Sequence, residues 1–248
     1  MIAVIDKVMR FGIIEPVKST RDQLICRGFA FDDELRKYEN LTKDELLRLL
    51  RDKAAYKRTI AIRLLPLNKN HIPLLCEMLK TEKKLYTKIE LCDALGKYNG
   101  KAIPYLIPLL GTIGKNQHRK IALVDINKKS YPLPRDIAAR TLIKMGPDVF
   151  PALKQLFSDN KNISQIAEAI DATGHITWNY KNYEMEKTLI GYFNKNRGND
   201  FIVWKLVRAF QSFASAEVKA VLEEIIETHK NEVIAQEAKR SLRRMAAR

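Results

Sequence analysis

The strongest constraint on this chain is a pattern that recurs along it: a basic residue, apolar residues three, four and seven positions later, Asn or Gly ten or eleven positions later, and Pro five beyond that. The copies read Arg58, Ala61, Ile62, Leu65, Asn68, Pro73; then Lys88, Leu91, Cys92, Leu95, Asn99, Pro104; then Arg135, Ala138, Ala139, Leu142, Gly146, Pro151. Apolar side chains three and four apart share one face of an α-helix. Asn and Gly tolerate the left-handed backbone that stops a helix. Pro suits the first turn of the next helix, where its missing N–H is not needed. Leu75, Leu106 and Leu153, two residues after each Pro, begin a second apolar face. Each copy therefore predicts one helical hairpin. A single hairpin cannot bury its apolar face, so the copies are expected to stack as an all-α solenoid.

Weaker copies follow. Ile166, Ala167, Ile170 and Gly174 fit the core positions, as do Leu206, Val207, Phe210 and Ala214, and Ala238, Leu242 and Ala246 begin a truncated copy. Ahead of the first copy, Thr42 and Glu45 form a capping-box pattern opening a Leu-rich helix. Earlier helices are expected over 2–11 and 20–38. The expectation is a single helical-repeat domain over 1–248, with N-terminal capping helices to 53, clear repeats over 54–157, and divergent repeats with a C-terminal cap from 158.

The third copy, Pro134 to Gly146, resembles a HEAT repeat. It is closest to the short bacterial type named after phycobilisome lyases, with Arg135, Ala138, Ala139, Leu142 and Gly146 at that type's positions. The first two copies carry Asn where that type has Gly. The resemblance covers residues 54–157 and implies a right-handed α–α superhelix. It does not fix a function. HEAT-like arrays serve as scaffolds, adaptors and chromophore-attachment proteins and, in one branch, as DNA glycosylases for alkylated bases.

Charge narrows the partner. The chain carries a formal net charge of +15, which attracts acidic partners: nucleic acid, an anionic membrane surface or acidic protein. The excess is concentrated: residues 101–135 hold seven basic groups and one acidic, whereas residues 1–53 hold eleven and ten. The Asn99-to-Gly146 interval exceeds the Asn68-to-Asn99 interval by 16 residues, which locates an insertion at about 111–134. Long insertions inside repeats often carry function. Lys115, Arg119, Lys120, Lys128, Lys129, Tyr131 and Arg135 are the candidate binding residues for an acidic ligand; the plainer alternative is a solvated loop. Ile121 to Ile126 could form a short strand. Arg58, Lys88 and Arg135 recur at one repeat position, and acids such as Asp93 or Asp136 are expected to pair with that column.

Enzyme signatures are missing from the sequence. The stretch Gly96 to Ala102 lacks the spacing and hydroxyl residue of a phosphate loop, and the four histidines have no metal-ligand spacing, so no cofactor or metal is expected. Asp171 with Trp178, Tyr180 and Tyr183 forms a candidate aromatic pocket of the kind a base glycosylase needs. The alternative is an inter-helix loop whose aromatics cap the core. Cys26, Cys76 and Cys92 suit a reducing cytoplasm, and neither a signal sequence nor a membrane span is evident. The sequence thus favours a non-catalytic protein- or peptide-binding scaffold or adaptor for an acidic partner. DNA binding, with base excision, is the alternative.

Overall fold

In a computed structural model, residues 19–122, 131–159 and 161–247 are described. Every regular element among them is helical: α1 (Arg21–Cys26), α2 (Asp32–Arg36), α3 (Lys43–Leu49), α4 (Ala55–Leu64), α5 (Ile72–Thr81), α6 (Leu85–Gly96), α7 (Ile103–Leu106), α8 (Ile137–Leu142), α9 (Phe150–Asp159), α10 (Ile163–Tyr180), α11 (Glu186–Lys195), α12 (Asp200–Phe210), α13 (Ala216–Thr228) and α14 (Glu232–Ala246), with short 3₁₀ turns between some of them. The expected helix over 2–11 and most of the expected strand at 121–126 lie outside the described residues.

The chain divides into two compact units, one of residues 1–66 with 83–90 and one of 67–82 with 91–248. In the first unit, Thr42 accepts from the Glu45 amide while the Glu45 side chain returns to Thr42, so the expected capping box opens α3. The helix expected over 20–38 is two helices instead. Gly28 breaks it with φ near +90°, and a Cβ there would lie 2.3 Å from the Thr87 hydroxyl oxygen. That close approach lets Thr59 donate to the Gly28 carbonyl at 2.6 Å.

In the second unit the repeat register becomes packing. Leu91, Leu95, Ala138, Ala139, Leu142, Ile166, Ile170, Leu206, Val207 and Phe210 are fully buried, as are Leu106 and Leu153 of the second helices. Each aliphatic or aromatic side chain so buried contributes roughly 1.5–3 kcal/mol. Pro73, Pro104 and Pro151 all stand in the first turn of their helices. Asn99 and Gly146 both have positive φ, 49° and 65°, and Gly146, with ψ of −150°, occupies a region open essentially to glycine alone. Asn68 differs: its φ is −143°, and its side chain accepts from the Asn70 amide, so it starts the next turn rather than stopping a helix.

Two layers follow from the hairpins. The first helices α8, α10, α12 and α14 pack in succession, and the second helices α9 and α11 pack on one another behind them. α12 touches α10, α11, α13 and α14, so every residue from Ile202 to Phe210 is buried, charged ones included. The second helix of the middle copy is cut short. Pro108 removes an N–H just after α7, and Gly111, with φ near +70°, turns the chain into the insertion. A Cβ at Gly111 would meet the Ser164 backbone at 2.8 Å.

Candidate functional site

The first-helix layer carries a line of buried charge. Asp136 caps α8, accepting from the Ala139 amide at 2.8 Å, the Gly111 amide at 3.2 Å and the Gln117 side chain at 2.8 Å. On α10, Glu168, Asp171, His175 and Trp178 fall on one stripe by helical spacing. On α12, Lys205 and Arg208 are one turn apart, and on α14 so are Glu237 and Arg240, which bond to each other with Nε to Oε1 at 2.9 Å.

These helices are adjacent, so opposite charges meet. Lys205 Nζ lies 2.5 Å from Asp171 Oδ2 and 3.2 Å from Glu168 Oε1, and the Lys205 side chain is 0% exposed. Desolvation of such groups is expensive, and only close geometry with satisfied hydrogen bonds repays it. Burial, reinforced by the Asp171 charge, raises the Glu168 carboxyl above the usual carboxylate range, while Lys205 opposes that rise. Arg208 lies with its guanidinium carbon 4.7 Å from the Trp204 ring centre.

The described ends of the insertion, 111–122 and 131–134, meet this layer. His118 stands edge-on to Trp204 with centroids 5.1 Å apart. Burial, then the charges of Lys205, Arg208 and Arg135, push its pKa down to about 4, so it is neutral. Tyr131 packs on Trp178 at 5.4 Å and edge-on to His175 at 5.6 Å, and its hydroxyl donates to the Arg208 carbonyl at 3.4 Å. Gly174 makes room for it: a Cβ there would lie 2.0 Å from the Tyr131 hydroxyl oxygen and 3.0 Å from Ala209.

The sequence-derived candidates separate accordingly. Lys115, Arg119, Lys120 and Arg135 are exposed and make no ion pair with any described residue. Tyr131 turns inward, and Lys128 and Lys129 lie outside the described residues. The alternative reading of 174–183 as an inter-helix loop fails for most of its length: residues 174–180 are the last part of α10, which ends where Lys181 adopts φ of 55°. Its aromatics are not brought together. Trp178 meets Tyr131, Tyr180 packs on Gly146, and Tyr183 faces Phe213 at 6.3 Å. Asp171 is held by Lys205. The acids expected to pair with the basic column are also taken: Asp93 bonds Lys144 and Asp136 caps α8, while Arg58 donates to the Asp52 carbonyl.

Glu168, Lys205, Arg208, Glu237 and Arg240 were not singled out from the sequence. Their signal was present: Lys205 and Arg208 interrupt an otherwise apolar run, Ile202 to Phe210, one turn apart, as Glu168 and Asp171 do in the preceding repeat. Charges in apolar runs mark a buried partner.

A surface cleft of about 480 Å³ is lined by Leu67, Lys69, Lys97, Tyr98, Asn99, Gly100 and Lys101. Leu67 is 61% exposed there, an apolar spot beside three lysines. Among the described residues no cluster of His, Cys, Asp and Glu is arranged to hold a metal ion, and no helix is long and apolar enough to cross a membrane. Neither a family model, nor a curated protein, nor a solved structure matches the chain.

Proposed function

We propose that this protein is a non-catalytic HEAT-like repeat module, an α–α superhelix that acts as a protein-binding scaffold or adaptor for an acidic partner. The observation that carries the reading is the contrast between two sets of cations. Lys205 and Arg240 are buried against carboxylates of their own chain, whereas Lys115, Arg119, Lys120 and Arg135 of the insertion are exposed with no acid among the described residues. Exposed, uncompensated cations favour association with negative partners and speed the encounter. The lysine-ringed cleft beside Leu67 offers a second, mixed apolar and basic contact to an extended acidic segment.

The glycosylase alternative draws less support. A carboxylate that stabilises a developing sugar cation has to be free and open, and Asp171 is committed to Lys205. The aromatics meant to stack on a base are dispersed or covered. Free thiols at Cys76 and Cys92, pushed up to about 11 by burial, are in keeping with a cytoplasmic protein.

Fluorescence anisotropy with a glutamate-rich peptide and with duplex DNA of matched charge tests the reading. The peptide is expected to bind at low salt. Tight duplex binding with no peptide binding would transfer the role to nucleic acid.

A further inference from the structure

The cleft beside Leu67 is built by the turns inside two successive hairpins, residues 67–71 of the first copy and 97–101 of the second. All of its lining belongs to one compact unit. Tyr98 holds the two turns together: its side chain is buried, and its hydroxyl accepts from the Asn68 amide at 3.3 Å. Leu67 from one turn and lysines from both then line one space of about 480 Å³, in the range that seats a small ligand.

The charge in this space is one-sided. Lys69, Lys97 and Lys101 line it, no acidic side chain does, and none of the three forms an ion pair with a described residue. The third copy shows the contrast. Lys144 stands there at the position of Lys97 and pairs with Asp93, and Asp148 stands at the position of Lys101. The cationic excess is thus confined to the cleft between the first two turns. Leu67 adds an apolar contact. At 61% it is the most exposed large apolar side chain among the described residues, so a ligand that covers it removes apolar surface from water.

Charge complementarity calls for an anion, and Leu67 for an anion with an apolar part. None of the three cations is an arginine, whose planar fork matches phosphate; separate ammonium groups on flexible stems suit separate carboxylates. We propose that the cleft seats a short acidic peptide segment in which an apolar side chain lies between carboxylates. The carboxylates meet Lys69, Lys97 and Lys101, and the apolar side chain covers Leu67. This rests on the acidic-partner reading and divides the work: the insertion attracts the partner by charge, and the cleft selects its sequence.

The test uses the full chain and two fluorescent peptides of equal charge, one with Leu between Glu residues and one with Ser in its place. Anisotropy at low salt should show the Leu peptide bound about fivefold more tightly, the scale of partly burying one leucine. Leu67→Ser should make the two peptides equal and leave the salt dependence unchanged. Lys69→Gln, Lys97→Gln and Lys101→Gln together should weaken both peptides by about tenfold and flatten the salt dependence. All four positions are exposed, so melting temperatures should not move. Lys115→Gln, Arg119→Gln and Lys120→Gln together should weaken both peptides and keep the preference for Leu. Equal wild-type affinity for the two peptides, or a preference that survives Leu67→Ser, would overturn the cleft. If only the insertion variant loses binding, the acidic-partner reading stands and the cleft falls. If only the cleft variants lose binding, the cleft stands and the insertion's part falls. Absence of wild-type binding to either peptide at low salt would overturn both.

Discussion

Lys205 and Asp171 form an ion pair of 2.5 Å between α12 and α10, and Glu168, one turn back on α10, accepts from the same ammonium at 3.2 Å. One buried cation thus ties two carboxylates of the preceding repeat at the junction of these two first helices. Removing one partner of such a set leaves charge buried without compensation. Lys205→Met should therefore cost about 3–5 kcal/mol of unfolding free energy in urea denaturation. Adding Glu168→Gln and Asp171→Asn should recover part of that loss. Equal stability of wild type and Lys205→Met would show that the pair contributes nothing.

Gly174 and Tyr131 give a second test. Gly174 sits inside α10, where alanine is ordinarily the better helix former. The Tyr131 hydroxyl oxygen nonetheless lies 2.0 Å from where a Cβ would stand. Gly174→Ala should destabilise by about 1–3 kcal/mol, the range for overpacking. Tyr131→Phe in the same background should relieve the hydroxyl clash and restore part of the loss, and thermal unfolding of the four-member cycle reads the coupling.

His118 sets a pH signature. Its pKa is depressed to about 4, first by burial and then by neighbouring cations. An unfolded chain binds that proton near pH 6.5. Stability from this group is thus present above 6.5 and is lost as pH falls through about 4. The loss should be about 2 kcal/mol after allowance for partial exposure. Urea titrations from pH 7 to pH 4.5 should show a shallower decline in His118→Phe than in wild type. Parallel curves would contradict the assignment.

The helix stops separate two residue types. Asn99→Gly should be neutral or stabilise by a few tenths of a kcal/mol, about what relief of a left-handed backbone gives. Gly146→Ala should cost about 1–3 kcal/mol, since its φ is 65° and its Cβ would meet Tyr180 at 2.9 Å. Melting temperatures of the two variants should move in opposite directions or differ sharply.

The register of the repeat was readable because it reports a local rule. Ala138, Ala139 and Leu142 must share a face, and Gly146 must end the turn, whatever surrounds them. Asn68 departed because its side chain found a local amide to cap, an option Asn always has. Gly174 misled for the opposite reason: a glycine reads as a stop, but here it answers a contact from Tyr131, 43 positions away in the numbering of the chain. The buried charges were the least legible. That Lys205 meets Asp171 follows only once α10 and α12 are neighbours, and pairing across repeats leaves no spacing signature within either. The insertion's length and charge were evident from the sequence, but its inward turn at His118 and Tyr131 was not.

Association with an acidic partner through the insertion is tested most directly by salt dependence. Lys115, Arg119, Lys120, Lys128 and Lys129 are replaced together by Gln, and binding of a glutamate-rich peptide is measured from low to physiological salt. The wild type should bind at low salt and weaken steeply as salt rises. The variant should bind at least about tenfold more weakly, with a flatter dependence on salt, and with its melting temperature unchanged. Equal affinity and equal slope in the two proteins, or no wild-type binding even at low salt, would contradict the account.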